Sequence, residues 1–191
     1  MTTEQAVNDI IAAGRCLYQR GLTAGTDGNI SVRCGDTVFI TASGVSKGRL
    51  TAADIVPLDL DGRPLTCGAK PSSEAALHIY VYRNRPDVGA VVHAHPPFAT
   101  AYALAGKDLP QDLVEARLML GKIPLLPFAE AGTLRLAEQA GEAARAYRGA
   151  LLADHGAAAW DRQLETAVCL MEAIEQVAKT SFYGQMLRRE I

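Results

Sequence analysis

The chain lacks paired cysteines: its four, Cys16, Cys34, Cys67 and Cys169, stand far apart and form no C-x-x-C. This spacing argues against both a disulfide framework and a thiolate zinc site. No apolar run approaches the ~18 residues a membrane span needs. Lys and Arg are scattered rather than clustered, so neither nucleic acid nor an anionic membrane is expected as a partner. No Walker or dinucleotide fingerprint occurs, and a nucleotide is not implied. The opening "MTTEQAVNDI" carries acidic residues and no apolar h-region, which predicts a cytoplasmic location. Repeats, linkers and low-complexity segments are also absent. With 191 residues, nearly half of them apolar (49%), and a net charge of −2, the chain is expected to form one globular domain over residues 1–191.

What is present is an alternation of helical and extended patterns. Val7, Ile10, Ile11, Gly14, Leu17 and Tyr18 recur at helical spacing, with Thr2 or Thr3 as cap and Gly21 as stop. "ISVR", "TVFIT" and "IVPLDL" are β-prone, the last followed by the turn pair Asp61-Gly62. A helix is predicted from near Ser72 to before Pro86, then the strand "GAVVHAH", then a helix from about Phe98 to Leu104. Residues 108–122 are poorly patterned and "IPLLPF" is extended. A helix from Leu134 to Tyr147 leads to two short buried strands broken at His155-Gly156. The last helix is predicted to bury a stripe of Leu164, Val168, Met171, Ile174, Ala178 and Phe182. The whole predicts an α/β domain around a mixed sheet.

His93 and His95 end an apolar strand that Pro96 and Pro97 stop, so the strand is expected to end at His95. Residues i and i+2 of a strand share a face, and both imidazoles therefore point the same way. An isolated H-x-H is more simply one core histidine and one surface histidine. A second apolar segment, "ALLADHG", releases His155 in the same manner. If the two strands are neighbours, three imidazoles converge and leave one coordination position open, as in a catalytic zinc site. His78, the remaining histidine, sits mid-helix four residues after Glu74 and reads as a packed residue behind the site rather than a ligand.

Glu74 opens the helix before the first histidine strand. Two readings are open: a carboxylate favoured by the helix dipole, or a general base or transient ligand beside a divalent ion. "GTDGNIS" (25–31), "TASG" (41–44) and "KPSSE" (70–74) are each explained by turn chemistry alone. Together they offer the hydroxyls and N–H groups that a phosphate requires.

"GTDGNISVR", "TASGVSKGRL", "KPSSEAALH", "AVVHAHPPFATA" and "LLADHG" are similar, in order and spacing, to the class II aldolase/adducin family, above all to L-fuculose-phosphate-type aldolases. The resemblance covers nearly the whole chain. It implies a three-layer α/β/α fold with a central mixed, mainly antiparallel sheet, and a homotetramer with sites at subunit interfaces. It implies His93, His95 and His155 as ligands of Zn²⁺ (or Mn²⁺ or Co²⁺) and Glu74 as acid/base. A substrate phosphate would be held by Gly28, Asn29, Ser43, Gly44, Ser72 and Ser73. The implied reaction cleaves a phosphorylated ketose to dihydroxyacetone phosphate and an aldehyde through a metal-stabilised enediolate. Epimerases, 5-methylthioribulose-1-phosphate dehydratases and sugar-acid phosphate decarboxylases share this metal site. The adducin-like module, a binding domain, keeps the fold without the metal histidines.

The chain departs from that pattern at one place. Fuculose-type enzymes use a tyrosine of a neighbouring subunit as a second acid/base, but "LPQDLVEARLMLGKIPLLPFAEAGT" has none. Glu115 lies near the equivalent place and is the candidate replacement; it also reads as a solvated helix charge, with the tyrosine's role falling to Tyr183 or to water.

Overall fold

The computed structural model describes residues 1–114 and 116–189. Helix α1 (Thr3–Gln19) is capped by Thr2, whose hydroxyl accepts the N–H of Gln5, and it stops at Gly21, which takes a φ of 70°. Strands β1 (Asn29–Cys34), β2 (Thr37–Thr41) and β3 (Ile55–Leu58) form an antiparallel meander. Helix α2 (Ala75–Asn84), strand β4 (Ala90–Ala94) and helix α3 (Pro97–Leu104) follow, Pro97 sitting at the first helical position where its missing N–H costs nothing. The weakly patterned stretch contains a π-helical turn, Ala116–Leu120, before strand β5 (Leu125–Leu126). Helix α4 (Leu134–Ala144), strands β6 (Gly149–Leu152) and β7 (Gly156–Asp161), and helix α5 (Leu164–Arg189) complete the chain.

The strands form one sheet in the order β3-β2-β1-β4-β7-β6-β5, and every pair is antiparallel except β5 with β6. The expected mixed, mainly antiparallel sheet is therefore observed. Strand alternation divides the core. Ile30, Val32, Val92, Ala94, Ala157 and Ala159 pack against α1, α3 and α5. Val38, Ile40, Val91, Ala158 and Trp160 pack against α2 and α4. Helices cover both faces, which gives the three layers. Among the described residues no helix is long and apolar enough to cross a membrane.

Three local expectations are corrected. Helix α2 begins at Ala75 rather than near Ser72, and α4 ends at Ala144 rather than Tyr147. In α5, Val168, Met171, Ile174 and Ala178 are buried as expected, but Phe182 is 41% exposed. By that point the helix faces α3, and the Phe182 ring packs on Phe98 at a centroid distance of 5.6 Å.

Candidate metal centre

Strand β4 is the middle strand of the seven, bonded to β1 on one side and β7 on the other. Its register sets His93 opposite Asn29 of β1 and opposite Ala158 of β7. The strand ends at Ala94, one residue earlier than expected, because the N–H of His95 leaves the ladder to bond the carbonyl of Leu22. Just beyond the two prolines, Glu175 of α5 accepts the N–H groups of Phe98 and Ala99 at 2.9–3.1 Å and fixes the start of α3.

His155 reaches the same place by another route. It lies in the β6–β7 turn rather than at the end of β6, and the strand beside β4 is β7, the one that follows it. Asp154 makes that turn tight with a φ of 57°, a conformation Asp tolerates better than most residues. Gly156 is needed for proximity rather than for the turn. A Cβ there would stand 2.5 Å from the carbonyl oxygen of Ala94 and 2.9 Å from Cδ2 of His95. Gly28 presses on β4 from the opposite side, where a Cβ would stand 2.6 Å from the carbonyl oxygen of His93.

The three imidazoles form a triangle with ring centroids 4.7–4.9 Å apart, and one ligand atom from each lies within 4.8 Å of the others. His93 Nδ1 donates to the carbonyl of Ala157 at 2.9 Å, which directs Nε2 into the triangle. His93 Nε2 and His95 Nε2 are 3.1 Å apart. Two nitrogens bound to one tetrahedral zinc ion would be about 3.3 Å apart, so this pair fits such an ion. His155 Nδ1 and Glu74 Oε1 are buried without a partner. Convergent imidazole nitrogens beside an unsatisfied carboxylate oxygen are the donor set a divalent ion takes.

Glu74 stands at the N-cap position of α2 but makes no capping bond; Ser72 Oγ accepts its N–H at 3.3 Å instead. Its carboxylate turns onto the triangle, with Oε2 3.1 Å from His93 Nε2 and Oε1 3.7 Å from His155 Nε2. Burial opposes ionisation of Glu74, but the charge and hydrogen bond of His93, then His155 and Asn29, outweigh it and hold the carboxyl well below its ordinary range. Burial likewise opposes charging of His93, and there the carboxylate of Glu74 wins and raises the pKa. His95 has no such partner at bonding distance. Burial and the charges of His93 and His155 push it down to about 4, and its Nδ1 is 3.7 Å from Asp27.

The three polar clusters meet beside this group. Ser43 N–H bonds the carbonyl of Lys70, Ser72 N–H bonds that of Thr41, and Ala42 bridges Pro71. Ser43, Gly44 and Ser73 are exposed, while Asn29 and Ser72 are buried. Asn29 Nδ2 donates to Glu74 Oε2 at 2.9 Å and Asn29 Oδ1 meets Nε2 of His78, so the amide is engaged at both ends within the protein. His78 is fully buried and is not among the three, as the sequence predicts.

Ser31, which the sequence offered only as one hydroxyl of the first polar cluster, Tyr82 and Lys47 take roles the sequence did not show. The first two extend the hydrogen bonding from His78 away from the site. Lys47 is a buried cation that donates to the carbonyls of Thr26 (2.8 Å) and Val45 (2.6 Å), tying the first two polar loops together. Burial lowers its pKa. A lysine following a serine in a glycine-rich turn gives no signal of burial. Glu115 lies outside the described residues.

Residues 8–182 match the model of the class II aldolase and adducin N-terminal domain. An L-fuculose phosphate aldolase of Methanococcus maripaludis is 32% identical over 95% of this chain and 99% of its own length. A 3-oxo-tetronate 4-phosphate decarboxylase of Haemophilus influenzae is 34% identical over 94% of this chain and 89% of its own. Among solved structures, an L-fuculose 1-phosphate aldolase superposes with a TM-score of 0.92 at 31% identity, covering 98% of this chain and 89% of that one. A sheet with three histidines gathered at its middle strand and a carboxylate turned onto them, matched over nearly the whole chain, makes this protein a member of the class II aldolase and adducin family.

Proposed function

We propose that the protein is a metal-dependent lyase that cleaves a phosphorylated ketose of the L-fuculose 1-phosphate type to dihydroxyacetone phosphate and an aldehyde. The observation that carries this reading is the approach of Glu74 to His93 and His155 when nothing in helix capping requires it. His93, His95 and His155 would hold Zn²⁺, Mn²⁺ or Co²⁺. When bound, the ion supplies positive charge against the negative charge that carbon–carbon cleavage leaves on the ketone oxygen. Glu74 handles the proton at the adjacent carbon: in condensation the ionised carboxylate removes it, and in cleavage the carboxyl, having taken up a proton to balance the one lost by the far hydroxyl, delivers it. The phosphate is held by backbone and side-chain donors of Gly28, Asn29, Ser43, Gly44, Ser72 and Ser73, with the charge of Lys47 beneath two of these loops. Asn29 contributes through its backbone and its remaining amide hydrogen, since Glu74 and His78 take the rest.

A second acid/base is required at the far hydroxyl, and Glu115 from an adjacent subunit is assigned to it. This role calls for an oligomer, for which a homotetramer is proposed. The exposed side chains of Leu118, Met119 and Phe128 support buried contacts between subunits.

The relative named a decarboxylase supports one alternative. Loss of carbon dioxide from a 3-oxo acid also leaves negative charge on the ketone oxygen, so the same residues would serve it. A panel of ketose 1-phosphates and 3-oxo acid phosphates, with dihydroxyacetone phosphate and carbon dioxide both measured, decides between them. Release of neither product from any member would overturn the lyase reading.

A further inference from the structure

Behind Glu74 runs a line of buried polar groups whose directions are fixed by chemistry. Asn29 Nδ2 lies 2.9 Å from Glu74 Oε2, and an amide N–H only donates, so the carboxylate oxygen is the acceptor. The amide oxygen then faces His78 and needs a donor, which makes His78 Nε2 the protonated nitrogen. His78 Nδ1 is left as an acceptor, and Ser31 Oγ, 2.6 Å away, donates to it. With its only hydrogen used, Ser31 accepts from the phenol of Tyr82 at 2.7 Å. Each link leaves one possibility for the next.

Geometry explains why these residue types stand at these positions. Glu74, His78 and Tyr82 are four apart, which stacks them on one stripe of α2 with a rise of about 6 Å per step. Asn29 and Ser31 are two apart on one face of β1, a step of about 6.7 Å. The two spacings nearly match, so a helix of pattern E-x-x-x-H-x-x-x-Y laid on a strand of pattern N-x-S interleaves its polar groups in sequence. Ser31, His78 and Tyr82 are fully or almost fully buried, and apolar residues would fill that space with less risk.

We propose that Tyr82, Ser31, His78 and Asn29 form a one-way donor relay that locks Glu74 as an oriented acceptor, with His78 as its central positioning residue in the Nε2-protonated neutral form. This rests on the reading of Glu74 as the proton carrier. Burial supports the neutral form, pushing the His78 pKa down to about 3 with the charge of His93 adding to it. Because Asn29 is held at both ends, the carboxylate cannot rotate away without breaking the line.

The test uses ¹⁵N-histidine-labelled protein and zinc. The chain has four histidines; the one whose ring nitrogens zinc does not displace is His78, and it should give the Nε2–H tautomer pattern throughout pH 5–8. An Nδ1–H pattern, or an imidazolium within that range, overturns the relay even in the wild-type chain, whether or not any variant folds. Kinetics with the ketose phosphate turned over best supply the second readout. His78→Gln keeps a donor near Nε2 and should retain kcat within about threefold. His78→Asn cannot reach Asn29, and its kcat should fall on the order of 10–100-fold at nearly constant KM. Equal kcat for the two variants overturns the positioning role. The two ideas fail separately, because the tautomer pattern should persist in Glu74→Gln, whereas full activity of Glu74→Gln would remove the proton-carrier reading alone.

Discussion

Glu74 and His93 face each other at 3.1 Å, oxygen Oε2 against nitrogen Nε2, in the interior of the protein. Neither group is satisfied by the other alone: the second oxygen of Glu74 has no hydrogen-bond partner, and His93 Nε2 is also shared with His95. Glu74→Gln keeps the shape and removes the base. Turnover should fall on the order of 10²-fold or more with metal content unchanged by elemental analysis. An active, metal-loaded Gln variant would leave this carboxylate without a chemical role.

Replacing any one of His93, His95 or His155 with Ala removes one of the three proposed ligands. Zinc affinity, measured by chelator competition, should drop at least 10-fold in each variant. Retention of full affinity by the triple variant would place the ion elsewhere.

Without metal, stability should fall as the solution is acidified from about pH 6.5 to 4. His78 and His95 titrate near 6.5 when unfolded but near 3 and 4 when folded, and His155 is also lowered. In that window the unfolded chain binds more protons, so stability rises with pH and is lost on acidification. His93 works the other way: its raised pKa stabilises the fold at low pH and the gain disappears as pH rises through it. Below pH 6.5 His93 stays protonated in both states and adds no slope, so the depressed histidines set the sign and denaturant titrations should show stability decreasing as the pH is lowered through this window. A flat or inverted profile would contradict these assignments.

Lys47→Met keeps the buried methylenes but leaves the carbonyls of Thr26 and Val45 without their donor. Thermal stability should decrease, each lost partner costing about 1–3 kcal/mol. The KM for a phosphorylated ketose should rise on the order of 10-fold while kcat and metal content change little. An effect confined to kcat would mean that the lysine acts on the metal group and not on the loops.

Subunit mixing tests Glu115. Glu74→Gln and Glu115→Gln chains, each inactive alone, should recover part of the activity when co-assembled, because some interfaces then hold both intact carboxylates. Full activity of Glu115→Gln, or no recovery from a verified mixed oligomer, removes Glu115 from the reaction.

The convergence of the three histidines was legible because H-x-H at a proline-stopped strand fixes two rings on one face, and this survives a one-residue shift in the strand end. The route of His155 was less legible. "ALLADHG" reads as a strand that delivers its last residue, yet it is the next strand that pairs with β4, and pairing order does not follow from periodicity. Asn29 and the serines were found as polar loop residues, but which side chains are free cannot be read from a turn. Ser31, His78 and Tyr82 become one line only when α2 is laid on β1, a long-range match that no local window contains.

Strand β4 has a bonded neighbour on each side and helices over both faces, so opening at His93 and its neighbours requires breaking the sheet at its centre. The loop residues Ser43, Gly44 and Ser73 lie exposed beyond the ends of their elements, where opening is local. Substitutions in those loops can accumulate without disturbing the three histidines. A single lineage can thereby vary the loops beside the histidines while the triangle itself stays as it was.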